Sequence, residues 1–230
     1  GGAPQQYRII PQEGKPTFST QTSWESPDPN FWVPAGYAVV NMNMPGYSNS
    51  QGKPTIFGPD QSDSFGQAID WVGSRSWCTG KVGLSGVSYL AMSQYGVAAG
   101  ETPRGVPKCL KAISPWEGVE NFYHDLFREG GIKETGFPVF WWHTEVKPTI
   151  NCSEEEFIEN EGQLPAALLE AHPFYDNYWK GKVADTRNIE LPMLICASFS
   201  DQGLHTRPSF RIFQKARSEN KWVYTHRSLK

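Results

Sequence analysis

At 230 residues the chain has room for one large domain, or a core with a sizeable insertion. Hydrophobic residues make up 38% and charged residues 20%, a globular balance that excludes a disordered chain. The net charge of −3 gives no basic footprint for nucleic acid or anionic lipid, and no apolar run approaches the ~18–20 residues that span a bilayer.

Residues 1–34 are rich in Gly, Pro, Gln, Ser and Thr without sustained periodicity and read as an extended loop. The start has no basic segment followed by an apolar stretch, so no secretion signal is expected. Gly36 to Met42 is a short apolar run, expected as a buried parallel strand, followed by the turn-rich stretch Pro45 to Gly52. From Asp60 the pattern turns helical: Phe65, Ala68, Ile69 and Val72 fall at i, i+3, i+4 and i+7. Lys81 to Ser85 reads as a strand, Tyr89 to Ala99 as a small-residue helix, and Leu110 to Ile113 as the next strand.

Regularity stops from Pro115 to about Glu190. Many of the 9 Trp, 13 Phe and 9 Tyr lie in this stretch, as a lid, a binding cavity or an aromatic core. A strand at Leu191 to Ala197, a helix at Arg207 to Arg217 and a strand at Lys221 to Thr225 follow. Alternating strands and helices with short connections mean a mostly parallel α/β sheet. The expected division is a core of 1–114 and 191–230, with a helical cap at 115–190. Cys78, Cys109, Cys152 and Cys196 form no CxxC pair, which leaves reduced thiols and a cytoplasmic location as the expectation. Cys109 and Cys196 read as small buried hydrophobes.

The sharpest local feature is Gly86-Val87-Ser88-Tyr89-Leu90-Ala91, set between an apolar strand and a small-residue helix. A serine at that turn projects its Oγ above the sheet, and the helix N-terminus offers N–H groups to a developing anion. A serine caps helices as well, but the flanking strand and helix favour a nucleophile. Such a nucleophile needs a base held by a carboxylate, each at the carboxyl end of a strand. Of the five histidines, only His205 and His226 follow the strand Leu191 to Ala197. Asp201 follows that strand and His226 follows the last one, so these two are expected to complete the set. His205 is expected as a solvated residue at a helix start. Asp201 and His205 at i, i+4 lack the third ligand a metal site needs, and Gly46 to Gly52 lacks the Gly-Lys-Ser/Thr ending of a P-loop.

With these residues in view, the chain resembles the CocE/NonD hydrolases, relatives of cocaine esterase and of the S15 Xaa-Pro dipeptidyl-peptidases. The resemblance rests on Gly36-Tyr37-Ala38-Val39-Val40, on Ser76-Trp77-Cys78-Thr79-Gly80-Lys81-Val82-Gly83 leading to Gly86-Val87-Ser88-Tyr89-Leu90, and on His172-Pro173-Phe174-Tyr175-Asp176-Asn177-Tyr178-Trp179 with the region of Asp201. It implies an α/β-hydrolase core interrupted by a helical cap, with Ser88 as nucleophile, Asp201 as orienting acid, His226 as base and the Tyr89 N–H as an oxyanion donor. It also implies no cofactor and a small ester, amide or short peptide as substrate. Family members carry glycine at the position of Ala91 and arginine at that of Pro45. They also extend beyond both ends of this chain, and a second oxyanion donor, a tyrosine, is expected upstream of Gly1. The rival reading, release of Xaa-Pro dipeptides, would need an acid for the substrate amine, and Glu117 or Glu120 could serve by location alone. A truncated, non-catalytic binding module is the alternative outside the enzyme class.

Overall fold

The computed structural model describes residues 19–161 and 164–227. The expected second oxyanion donor, a tyrosine upstream of Gly1, lies outside them. Four strands, β1 (Val82–Val87), β2 (Leu110–Trp116), β3 (Met193–Ser198) and β4 (Lys221–His226), form a fully parallel sheet in the order β1-β2-β3-β4. Parallel neighbours need crossover connections, and the helices supply them. Helix α1 (Pro29–Trp32) precedes the sheet, and α2 (Pro59–Gly73) carries the expected stripe, with Ile69 buried on it. Helix α3 (Tyr89–Ala98) links β1 to β2 and packs on both. The contact between α2 and α3 is close: a Cβ on Gly96 would stand 2.1 Å from Ser62 Oγ. Tyr95, Ile113, Met193 and Ile195, each at most 2% exposed, fill the core between helices and sheet.

The expected strand at Gly36 to Met42 does not form. The segment joins no ladder, and Tyr37, Val40 and Met42 are exposed. An extended segment becomes a strand only when a neighbour takes up its N–H and C=O groups. Among the described residues no strand pairs with it.

Between β2 and β3 the described residues form no strand. They form short helices: α4 (Phe137–Trp141), α5 (Glu154–Glu161), α6 (Pro165–Ala171) and α7 (Asn177–Lys180), with π-helical turns at Tyr123–Phe127 and Trp142–Val146. The aromatic residues of this stretch are mainly core. Phe122, Tyr123, Phe127 and Trp179 pack in one cluster, and Trp142 and Phe157 in another. Helix α8 (Thr206–Lys215) then packs on β3 and β4 and completes the last crossover. Among the described residues no helix is long and apolar enough to cross a membrane. Cys196 is buried as expected, but Cys109 is only half-buried, at the rim where α2 meets β2.

Candidate active site

The strand-to-helix turn has the geometry its sequence asks for. Strand β1 ends at Val87, α3 begins at Tyr89, and Ser88 between them has φ 56° and ψ −115°. A non-glycine residue in that region carries strain of about 1–3 kcal/mol, which its surroundings must hold. They do so through the backbone: Ser88 N–H donates to Trp116 O at 2.9 Å, and Val87 N–H to Glu25 O at 3.0 Å. Ser88 O accepts from the N–H groups of Ala91 and Met92, both at 3.0 Å. Gly86 is required for a steric reason, since a Cβ there would stand 2.5 Å from Leu90 Cβ.

Tyr89 fixes the first turn of α3. Its ring stacks on Phe57 at 4.4 Å, and its Oη pairs with Gln61 Nε2 at 2.5 Å. Burial pushes its hydroxyl far above the ordinary phenol range, so it stays a neutral hydrogen-bonding group. The backbone N–H of Tyr89 is one of the first-turn donors that no helical carbonyl can take.

Beyond β3 the chain makes one tight turn, in which Asp201 O accepts from His205 N–H at 3.1 Å and from Thr206 N–H at 3.2 Å. This turn folds the His205 side chain inward. His205, expected to be solvated, is fully buried. Its Nδ1 lies 2.5 Å from Asp201 Oδ2 and its Nε2 lies 3.4 Å from Ser88 Oγ. Ser209 Oγ donates to His205 O at 2.8 Å and steadies the backbone beneath it. The Ser88–His205 contact is long for an O–H···N bond, and such bonds tighten when substrate is bound.

His226 is placed differently from expectation. It ends β4 in register with Ser198, and its Nε2 lies 3.2 Å from Glu117 Oε1. Its Nδ1 is buried with no hydrogen-bond partner among the described residues. In this arrangement the imidazole is turned toward the residue after β2, Glu117, rather than toward Ser88. His205 comes instead from the turn after β3, which leans back over the sheet. The i, i+4 spacing of Asp201 and His205 was the sequence signal for this pairing.

Glu117, Asp201 and His205 bring ligand atoms within 4.8 Å of one another. This supplies the third ligand absent from the sequence reading, on residues that are also engaged in the two imidazole–carboxylate pairs. A cavity of about 470 Å³ meets the cluster at Asp201 and Glu117 rather than at Ser88 Oγ, and continues past Asp125, Glu129, Glu134 and Phe137. Most of these acids have a cationic or imidazole partner, Arg211 on Asp125 and Arg207 on Glu129 among them. Glu134 lies in no ion pair among the described residues and accepts only the N–H groups of Gly136 and Phe137. Of the two acids expected to meet a substrate amine, Glu117 holds His226, and Glu120 is taken by Arg211, Lys215 and Thr186.

Comparison with known proteins agrees with this architecture. The profile of the X-Pro dipeptidyl-peptidase (S15 family) matches residues 4–228. A Bacillus anthracis relative, named provisionally as a Xaa-Pro dipeptidyl-peptidase, is 28% identical over 218 residues, covering 83% of this chain and 34% of its own. Cocaine esterase of Rhodococcus sp. (strain MB1 Bresler) is 35% identical over 103 residues, covering 44% of this chain and 17% of its own. The crystal structure of a CocE/NonD family hydrolase from Staphylococcus aureus superposes with a TM-score of 0.80 at 35% identity, covering 97% of this chain and 38% of that one. The fold is therefore an α/β-hydrolase core with a helical insertion. The chain spans about a third of the length of the curated relatives that match most of it.

Proposed function

The chain belongs to the X-Pro dipeptidyl-peptidase (S15) family, and we propose that it carries the catalytic centre of a serine hydrolase working through an acyl-enzyme. One observation carries this reading: Ser88 Oγ, on a strained elbow, faces His205 Nε2, whose Nδ1 is held by Asp201. With its Nδ1–H donated to Asp201, the imidazole presents an Nε2 lone pair to the Ser88 hydroxyl. His205 takes that proton as Oγ attacks the substrate carbonyl, and the Tyr89 N–H supports the oxyanion. His205 then gives the proton to the departing alcohol or amine. Water, activated by the same imidazole, releases the acid and restores Ser88. An oxyanion donor of this kind is worth ~10²–10³ in turnover.

A second reading gives the proton transfer to His226, as the family resemblance implies. It is favoured by the buried Nδ1 of His226, which has no hydrogen-bond partner among the described residues, and by the closeness of its partner Glu117 to Asp201 and His205. Here His226 would swing from Glu117 toward Ser88.

The substrate class is proposed from the cavity. Its acidic wall favours a substrate with a free amine, and Glu134, without a cationic partner among the described residues, is the acid we assign to it. This replaces Glu117 and Glu120 in the dipeptidase reading. The test is intact-mass trapping of an acyl-enzyme with a chromogenic short-chain ester, run beside an Ala-Pro anilide. An acyl adduct on Ser88 supports the mechanism. A folded protein with no adduct, and no turnover of either substrate, favours the non-catalytic module.

A further inference from the structure

Helix α8 does more than close a crossover. Arg207, Arg211 and Lys215 stand at i, i+4 and i+8 along it and form one cationic stripe. Their partners run the opposite way along the segment after β2: Arg207 holds Glu129 at 2.9 Å, Arg211 holds Asp125 at 2.6 Å, and Lys215 holds Glu120 at 2.7 Å. Arg211 is the central rung and hydrogen-bonds two acids, since its Nε also reaches Glu120 Oε2 at 3.2 Å, while Arg207 comes only within 3.6 Å of Asp125 as its second acid. The Asp125 side chain is fully buried and that of Glu120 is 7% exposed. Buried carboxylates need such partners, and a planar guanidinium fork holds two of them in a fixed geometry that a compact, rotating ammonium does not impose. Burial works against the Arg211 charge, but Asp125 and Glu120 more than offset it and hold the guanidinium above its ordinary value.

The two sides of this ladder carry the two halves of the site. Helix α8 starts one residue after His205. The opposing segment includes Glu117, which holds His226, and Asp125 and Glu129, which line the cavity. We infer that Arg211 is a positioning residue, tying the helix that follows His205 to the cavity wall and so setting the reach of His205 Nε2 to Ser88 Oγ. The inference rests on the proposed Ser88–His205 chemistry.

The experiment measures the rate at which a fluorophosphonate modifies Ser88, across pH, in the full chain. Arg211→Lys keeps the charge but loses the fork. Arg211→Gln with Asp125→Asn removes both charges, so the buried acid is not left alone. Lys147→Ala, which deletes the exposed pair with Glu154, is the control. The expected result is folded Arg211 variants that label about tenfold more slowly, a fraction of the ~10² that an ångström of misplacement can cost, with a displaced pH midpoint. Labelling within twofold of wild type at an unmoved midpoint overturns the inference. So does a slower rate that only tracks loss of folded protein. A wild-type chain that does not label removes the proposed function as well, whereas normal wild-type labelling with unaltered Arg211 variants removes this inference alone.

Discussion

His205 Nε2 stands 3.4 Å from Ser88 Oγ although 117 residues separate them in the chain. The contact depends on two local devices, the strained elbow at Ser88 and the tight turn from Asp201 to Thr206, and on the sheet that holds them at a fixed distance. Each device can be disturbed separately.

The elbow is the first. Gly86→Ala puts a methyl group against Leu90 Cβ, where the space is 2.5 Å. Overpacking of this kind costs roughly 1–3 kcal/mol, which urea unfolding resolves as a lower midpoint. Leu90→Gly, in the same chain, removes the obstructing atom and is expected to restore part of the loss relative to Gly86→Ala alone. A double variant no more stable than the additive prediction would place the strain elsewhere.

The ion pairs should divide by burial. Arg211→Met leaves the fully buried Asp125 carboxylate without its fork and is expected to cost about 3–5 kcal/mol. Lys147→Ala breaks a pair whose side chains are 45% and 35% exposed, and should cost no more than about 1 kcal/mol. Thermal unfolding of the two variants measures the contrast.

Glu134 should separate substrate classes. Glu134→Gln is expected to raise KM for an Ala-Pro anilide and to leave a neutral short-chain ester within about twofold, because only the first presents a cation to the carboxylate. Equal effects on both substrates would detach Glu134 from amine recognition.

The cysteines offer a pH test. Burial in β3 pushes the Cys196 thiol up to about 12, helped by the nearby Glu117 charge. A raised thiol value means the reactive thiolate is scarce below that pH, so Cys196 should resist alkylation in the folded protein from neutral to mildly alkaline conditions. Peptide mapping after iodoacetamide treatment is expected to find Cys78 modified ahead of Cys196.

The sheet was legible in the sequence because each of its strands is a short apolar run beside a helix with its own period. The run Gly36 to Met42 has the same local character and forms no strand, since pairing is a property of neighbours rather than of the segment. Ser88 could be singled out because an elbow is local: glycine, serine and the strand-to-helix switch sit within a few residues. The partner histidine is a long-range choice. Order along the chain pointed to His226, which the fold sets beside Glu117, and the i, i+4 pair of Asp201 and His205 is what faces Ser88. The Arg207, Arg211 and Lys215 stripe went unread in the sequence because its meaning depends on buried acids that only the fold sets opposite it.

The most direct measurement is the rate of fluorophosphonate modification of the wild-type chain, Ser88→Ala, His205→Ala and His226→Ala, each checked for folding by circular dichroism. The structure predicts rapid modification of wild type and none of Ser88→Ala. It further predicts a loss of at least ~10² for His205→Ala, the usual contribution of a positioned general base, with His226→Ala far closer to wild type. A His226→Ala variant as inert as Ser88→Ala, beside a His205→Ala variant that labels normally, would contradict the assignment of His205 and give the proton transfer to His226.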